Sequence, residues 1–143
     1  MNFTFNDGGR SKYFKGKNAD DCVVRAIAIA AKKDYKEVYD ALKTRMGKGK
    51  SPRNGIHKKI YHEYIISLGF KWEPYMGIGT GCTIIMNKQD LPVGTYICRL
   101  SKHLSCISNY TIFDTFDPSR EGMRCVYGIY KRVPQRKRGN KDV

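Results

Sequence analysis

The pattern of apolar residues changes near residue 70, and this change limits the folds that the chain can adopt. Before it, apolar residues recur every three or four positions, which predicts three helices, at 21–32, 35–46 and 56–68. After it, runs of β-branched and aromatic residues predict strands, at 82–86, 95–100, 103–108, 111–116 and 124–130. Helices and strands in separate parts of a chain are typical of α+β domains. The sequence therefore predicts N-terminal helices packed on a C-terminal antiparallel sheet.

Length and charge indicate the domain organisation and the class of partner. A chain of 143 residues is long enough for one domain with its own core, which is predicted at 1–133. Residues 134–143 are mostly basic and polar, which predicts a disordered tail. The net charge of +14 indicates a surface that attracts polyanions, so nucleic acid and acidic proteins are the expected partners.

The chain shows no signal for a membrane or for export. No run approaches the roughly 18 apolar residues of a membrane span, and Met1–Asp7 lacks the basic start and apolar core of a signal peptide. A cytoplasmic protein with no membrane partner is therefore expected. The five cysteines are odd in number and include no C-x-x-C pair, so no disulfide framework, metal or cofactor is expected. All of them except Cys22 are predicted to be small buried hydrophobic residues.

Cys22 lies where the Asp20-Asp21 pair leads into the first predicted helix. The unpaired backbone N–H groups and the positive end of the helix dipole favour a thiolate over a thiol at this position. A cysteine that serves only for packing would more naturally lie in the middle of a helix. Cys22 is therefore predicted to be a nucleophile.

A predicted hairpin places a histidine beside a carboxylate. Asn109-Tyr110 is expected to be a two-residue turn, so Ser108 pairs with Thr111. Because side chains alternate across a strand, His103 then shares a face with Asp114 and is its diagonal neighbour. Asp117 falls on the opposite face, although a bulge would exchange the two acids. His103 is the predicted base and acid, and Asp114 the residue that orients it, with Asp117 as the alternative.

Such a triad also needs donors for the oxyanion of the tetrahedral intermediate. The backbone N–H of Cys22 is one candidate, and Asn18 is the only side-chain amide shortly before it. Gly77-Ile78-Gly79-Thr80-Gly81 lacks the strand and helix that flank a phosphate-binding loop. The segment 73–81 is instead expected to form a wall of the substrate cleft.

Two motifs resemble those of small papain-like, C39-type cysteine peptidase domains of phage and bacterial genomes. The first is Asp21-Cys22-Val23-Val24-Arg25-Ala26 with Tyr35, Val38 and Tyr39; the second combines Lys102–Ile107 with Phe113–Ser119. The resemblance covers most of 21–130 and implies a papain-like cysteine protease fold and a protein or peptide substrate. Those peptidases usually carry a Gln about six residues before the Cys, where this chain has Gly16. The resemblance also implies a phage-encoded protein made in the bacterial host cytoplasm.

Two classes of function remain open from the sequence. The first is a cysteine hydrolase that acts on an amide through a thioester acyl-enzyme, with hydrolysis, deamidation and acyl transfer not separated. The second is a catalytically weak or inactive papain-like fold that binds nucleic acid or a host protein, such as a defence factor that it inhibits. The basic loop 48–53 and the basic tail support the second class.

Overall fold

The computed structural model describes residues 1–16 and 19–132. Asn18 and the predicted tail at 134–143 therefore lie outside the described residues. Three helices and six strands form the described part, in the order β1 (Asn2–Phe5), α1 (Cys22–Ala31), α2 (Tyr35–Met46), α3 (Lys58–Ser67), β2 (Phe70–Pro74), β3 (Thr95–Leu100), β4 (His103–Ser108), β5 (Thr111–Asp114) and β6 (Gly128–Arg132). The α+β class is thus confirmed.

The helices begin where local side chains can cap them. Asp34 accepts a hydrogen bond from the backbone N–H of Lys36 and caps α2. Glu37, in the first turn of α2, forms an ion pair with Lys33 at 2.8 Å. The start of α3 lies two residues later than predicted, because the imidazole of His57 accepts from the backbone N–H of Lys59 and caps the helix there.

The six strands form one sheet in the order β1-β5-β4-β3-β6-β2. All neighbours are antiparallel except β1, which runs parallel to β5 with Phe5 opposite Asp114. Strands β3 and β4 have the predicted bounds, whereas β1 and β2 were not predicted. The predicted strand at 82–86 is wrong, since only an isolated bridge between Ile85 and Cys125 occurs there. An exposed edge strand of four residues, such as β1, has no clear alternation by which to recognise it.

Helix α1 packs across β4 and is the most buried helix of the fold. Its residues share one core cluster with Ile97, Leu104 and Cys106 of the sheet. Each fully buried valine or isoleucine of this kind contributes about 1.5–3 kcal/mol, so the position of α1 is strongly determined. A second cluster contains Tyr96, Ile107 and Ile112 together with Met86 and Leu91 from the connection before β3, so both faces of the sheet are covered.

Cys82 and Cys125 form a disulfide, which corrects the expectation that cysteines other than Cys22 are buried and unpaired. Their Cα atoms are 5.8 Å apart although 43 positions separate them along the chain. The bridge between Ile85 and Cys125 brings them together, and no local spacing could have indicated it. Cys98 and Cys106 are buried thiols, as expected.

No helix among the described residues is long and apolar enough to cross a bilayer.

Candidate active site

Cys22 is the first residue of α1 and follows Asp21, which occupies the N-cap position. Its side chain is half-buried and lines a cleft. No backbone acceptor for the N–H of Cys22 occurs within the described residues, as expected for the first turn of a helix. The thiol therefore lies at an open helix N-terminus, next to unpaired donors.

The hairpin of β4 and β5 has the predicted register, with Ser108 opposite Thr111 and Ile107 opposite Ile112. Asn109 and Tyr110 both have positive φ, at 47° and 65°, which is the turn that two-residue hairpins favour. His103 at the start of β4 donates from Nε2 to Oδ2 of Asp114 at 2.7 Å. The Nδ1 atom of the imidazole is left for Cys22.

Asp114, and not Asp117, is the carboxylate beside His103. Besides His103, its Oδ2 accepts from the hydroxyl of Ser105 at 2.7 Å, and the side chain is almost wholly buried. Asp117 is exposed and accepts from the backbone N–H of Ser119 at 2.9 Å, so it caps the turn that follows β5. Phe116 packs beside the imidazole, with its ring centroid 5.1 Å from that of His103.

His103 is held in its protonated form by its neighbours. Burial by itself lowers the pKa of His103, but the hydrogen bond to Asp114, the neighbouring Cys22 side chain and the charges of both raise this pKa to about 9. Burial raises the pKa of Asp114, and the bonds from His103, Ser105 and the Thr115 N–H outweigh it, so the net pKa lies below its usual value. A protonated His103 between Cys22 and the Asp114 carboxylate is thus the stable arrangement near neutral pH.

A buried ionic network supports the triad from behind. Arg25, one turn after Cys22, donates from Nη2 to Oδ1 of Asp114 at 3.2 Å and pairs through Nη1 with Asp21. Asp21 also accepts from Arg10 at 3.1 Å and from the Tyr35 hydroxyl at 2.7 Å. The sequence did not reveal this role of Arg25, although its i,i+4 spacing from Asp21 was a usable signal. Arg25 thereby joins α1 to the hairpin, through Asp21, which precedes Cys22 in sequence, and through Asp114, which is bonded to His103.

Arg10 reaches this network from a turn that follows β1. The side chains of Asn6 and Asp7 accept from the backbone N–H groups of Gly8 and Gly9, at 2.8 and 2.9 Å. A Cβ atom on Gly8 would lie 3.1 Å from both Cα and O of Arg25, so the turn packs directly on α1. The N-terminal segment is therefore part of the site, which sequence reasoning missed.

The cleft above Cys22 and His103 has a volume of about 1010 Å³. One wall is the segment 53–58, joined to the residue pair before Cys22 by hydrogen bonds from Asp20 N to Arg53 O at 2.8 Å and from Gly55 N to Asp20 O at 3.0 Å. The other wall is the end of β3 and the start of β4. The expectation that 73–81 walls the cleft is wrong, because β2 lies at the far edge of the sheet.

The candidate oxyanion donors are only partly described. Asn18 lies outside the described residues, so its predicted role as a donor stays a prediction. Asn54 is the side-chain amide among the described residues that line the cleft, and it pairs with Asp20 across the bridge that holds the wall. It is a second candidate that sequence reasoning missed, since 32 positions separate it from Cys22 along the chain.

The other two histidines lie elsewhere. His57 caps α3, and His62 hydrogen-bonds through Nδ1 to the hydroxyl of Tyr130 at 2.8 Å. Neither lines the cleft. Within 1–16 and 19–132, no group of three or more His, Cys, Asp and Glu side chains could hold a metal ion.

Comparisons with protein-family models, curated proteins and solved structures found no match for this chain.

Proposed function

We propose that this protein is a papain-like cysteine hydrolase that cleaves an amide of a protein or peptide through a thioester acyl-enzyme. The observation that carries the proposal is that Cys22 and His103 line the same cleft and that His103 is bonded to the buried Asp114 at 2.7 Å. A nucleophile on a helix N-terminus and its base on the adjoining sheet are the arrangement that papain-like hydrolases use.

The electrostatics of the three side chains suit this chemistry. His103, whose pKa is about 9, is a cation at neutral pH, and an adjacent cation is the setting in which cysteines act as nucleophiles. The Asp114 carboxylate fixes the imidazole orientation and stabilises its cation. Arg25 and Asp21 hold the carboxylate and the helix start in register, so the geometry is formed before substrate binds.

The reaction runs in two halves. In the first, the Cys22 sulfur attacks the carbonyl carbon, the carbonyl oxygen becomes an oxyanion, and the backbone N–H of Cys22 donates to it. His103 then transfers its proton to the amide nitrogen, the C–N bond breaks, and an amine leaves with a thioester behind. In the second, neutral His103 takes a proton from water, the hydroxide attacks the thioester, and the acid is released with Cys22 again the thiolate.

The pH dependence of Cys22 alkylation by iodoacetamide tests the proposal. Wild-type protein should be labelled rapidly well below pH 8, because thiolate and imidazolium stabilise each other. In His103→Gln the labelling should require a higher pH, whereas His62→Gln should behave as wild type. Labelling is measured without reductant, so that Cys82 and Cys125 stay paired. It is assigned by peptide mapping, which distinguishes Cys22 from the buried thiols of Cys98 and Cys106.

A second readout separates an enzyme from a binding module. An activated peptide ester should form a thioester on Cys22 that is visible as added mass and is absent in Cys22→Ala. Slow labelling with the same pH profile in wild type and His103→Gln would contradict the hydrolase and favour the inactive binding fold.

A further inference from the structure

We propose that the cleft selects an acidic polypeptide, with carboxylate side chains on both sides of the amide that Cys22 attacks. This inference rests on the proposed function and adds the substrate class. It comes from the charges of the residues that line the cleft and from which of those residues form ion pairs within the protein.

Six arginine and lysine residues line the cleft, against one acid, Asp20. Two of the cations, Arg10 and Arg25, are neutralised within the protein by Asp21 and Asp114. The other four form no ion pair with any acidic residue in the described part of the chain; they are Arg53, Lys58, Arg99 and Lys102. The cleft therefore carries an uncompensated positive charge beside the nucleophile.

These four cations lie on both walls. Arg53 and Lys58 belong to the segment 53–58, which is hydrogen-bonded to Asp20. Arg99 lies in β3 and Lys102 in the turn between β3 and β4, just before His103. An extended chain that crosses the cleft over Cys22 thus meets cations on both sides of the reacting bond. A single anionic group would engage only one wall, whereas an acidic segment engages both.

The two guanidinium groups are held in place by aromatic rings. Arg53 lies 4.3 Å from the ring centroid of Phe14, and Arg99 lies 5.2 Å from that of Trp72. Stacking leaves the edge of a guanidinium to donate two parallel hydrogen bonds to a carboxylate.

The chemistry of a cysteine nucleophile favours a polypeptide as the occupant of the cleft. A cysteine nucleophile forms its thioester at an acyl carbon, and the backbone amides of a polypeptide supply one. Phe116, 49% exposed and next to His103, offers an apolar surface for one substrate side chain between the charged walls. The occupant that fits charge and chemistry together is a segment rich in Asp and Glu.

The test measures binding separately from catalysis. Three fluorescent decapeptides of equal length, with Glu, Gln or Lys flanking a central Ala-Phe-Ala, are titrated into Cys22→Ala and followed by anisotropy. We expect the Glu peptide to bind at least tenfold more tightly than the Gln peptide, since each cation contributes about two- to fivefold. The difference should shrink at high salt, and the Glu peptide should protect Cys22 of wild type from iodoacetamide.

Matched variants locate the binding. Lys58→Gln with Lys102→Asn removes one exposed cation from each wall and should weaken binding of the Glu peptide by about four- to twentyfold. Asn suits position 102, whose φ is 55°. Lys48→Gln with Lys71→Gln removes the same charge outside the cleft and should change the affinity for the Glu peptide by less than about twofold.

The outcomes are distinguishable from those of the proposed function. Equal binding of the three peptides would overturn the acidic-substrate inference even if iodoacetamide labelling depends on His103. A Glu preference in Cys22→Ala without that dependence would support an acidic polypeptide as the occupant of the cleft and reject its cleavage by Cys22. An oligonucleotide that protects Cys22 better than polyglutamate at equal charge would overturn the inference in favour of nucleic acid.

Discussion

At the scale of single residues, Arg25 connects the two halves of the site. Its guanidinium pairs with Asp21, which precedes Cys22, and with Asp114, which lies beside His103, and all three side chains are buried. Removing one member of such a network leaves buried charge without a partner, which costs far more than the loss of a surface pair. Arg25 is thus a positioning residue for Cys22 and His103.

We predict that Arg25→Gln lowers the free energy of unfolding by about 3–5 kcal/mol, measured by urea denaturation. The control is Lys33→Gln, which removes a surface pair with Glu37 of the same i,i+4 kind and should cost less than about 1 kcal/mol. Arg25→Lys keeps the charge but cannot bond to Asp21 and Asp114 through separate nitrogens. This variant should therefore fold with intermediate stability, and iodoacetamide should label its Cys22 more slowly. Equal costs for Arg25→Gln and Lys33→Gln would contradict the role of the network.

At the scale of elements, the first strand and its turn complete the site although they lie at the edge of the sheet. β1 runs beside β5 up to Asp114, and the following turn rests on α1 at Arg25 and brings Arg10 to Asp21. The segment therefore joins α1, which begins at Cys22, to β5, which ends at Asp114. The side chains of β1 are exposed, so the segment contributes to the site through the pairing with β5 and the contacts of the turn.

Gly8→Ala tests this contact against a matched glycine. Gly8 and Gly55 both have positive φ, at 69° and 92°, but a Cβ on Gly55 would meet nothing within 4 Å. Gly55→Ala should therefore report backbone strain alone, about 1 kcal/mol, and Gly8→Ala should add about 1–3 kcal/mol of overpacking against α1. Thermal unfolding and Cys22 labelling of both variants measure this, and equal losses would show that the turn does not press on the helix.

At the scale of the whole molecule, the site couples stability to pH. The pKa of His103 is about 9 in the folded protein against 6.5 ordinarily, so folding stabilises its cation. That contribution is fully present below pH 6.5 and is lost as pH rises through 9. We predict that the free energy of unfolding falls over this interval by on the order of 3 kcal/mol more in wild type than in His103→Gln.

Urea titrations at a series of pH values provide the measurement. Cys22→Ala should show a smaller fall than wild type, because it keeps the contribution of Asp114 to the pKa of His103 and loses that of Cys22. His62→Gln should follow the wild-type curve. Parallel curves for wild type and His103→Gln would show that the imidazolium is not stabilised by folding.

Local patterns were sufficient for the elements that carry the candidate triad. The apolar period predicted α1 with Cys22 at its start, and the alternation in β3 and β4 predicted their bounds. The Asn109-Tyr110 turn fixed a hairpin register that placed His103 beside Asp114. These predictions succeeded because they depend on neighbours a few positions apart, where dihedral preferences and side-chain periodicity act.

The contacts that the sequence did not reveal all join distant segments. The pairing of β1 with β5, the disulfide between Cys82 and Cys125 and the cleft wall around Asn54 have no local pattern, because they form only when the core has packed. By itself, the sequence determined the α+β class and the order of the three candidate triad residues along the chain. Only the tertiary structure decided how these residues are held and charged, since burial and long-range ion pairs exist only in the folded chain.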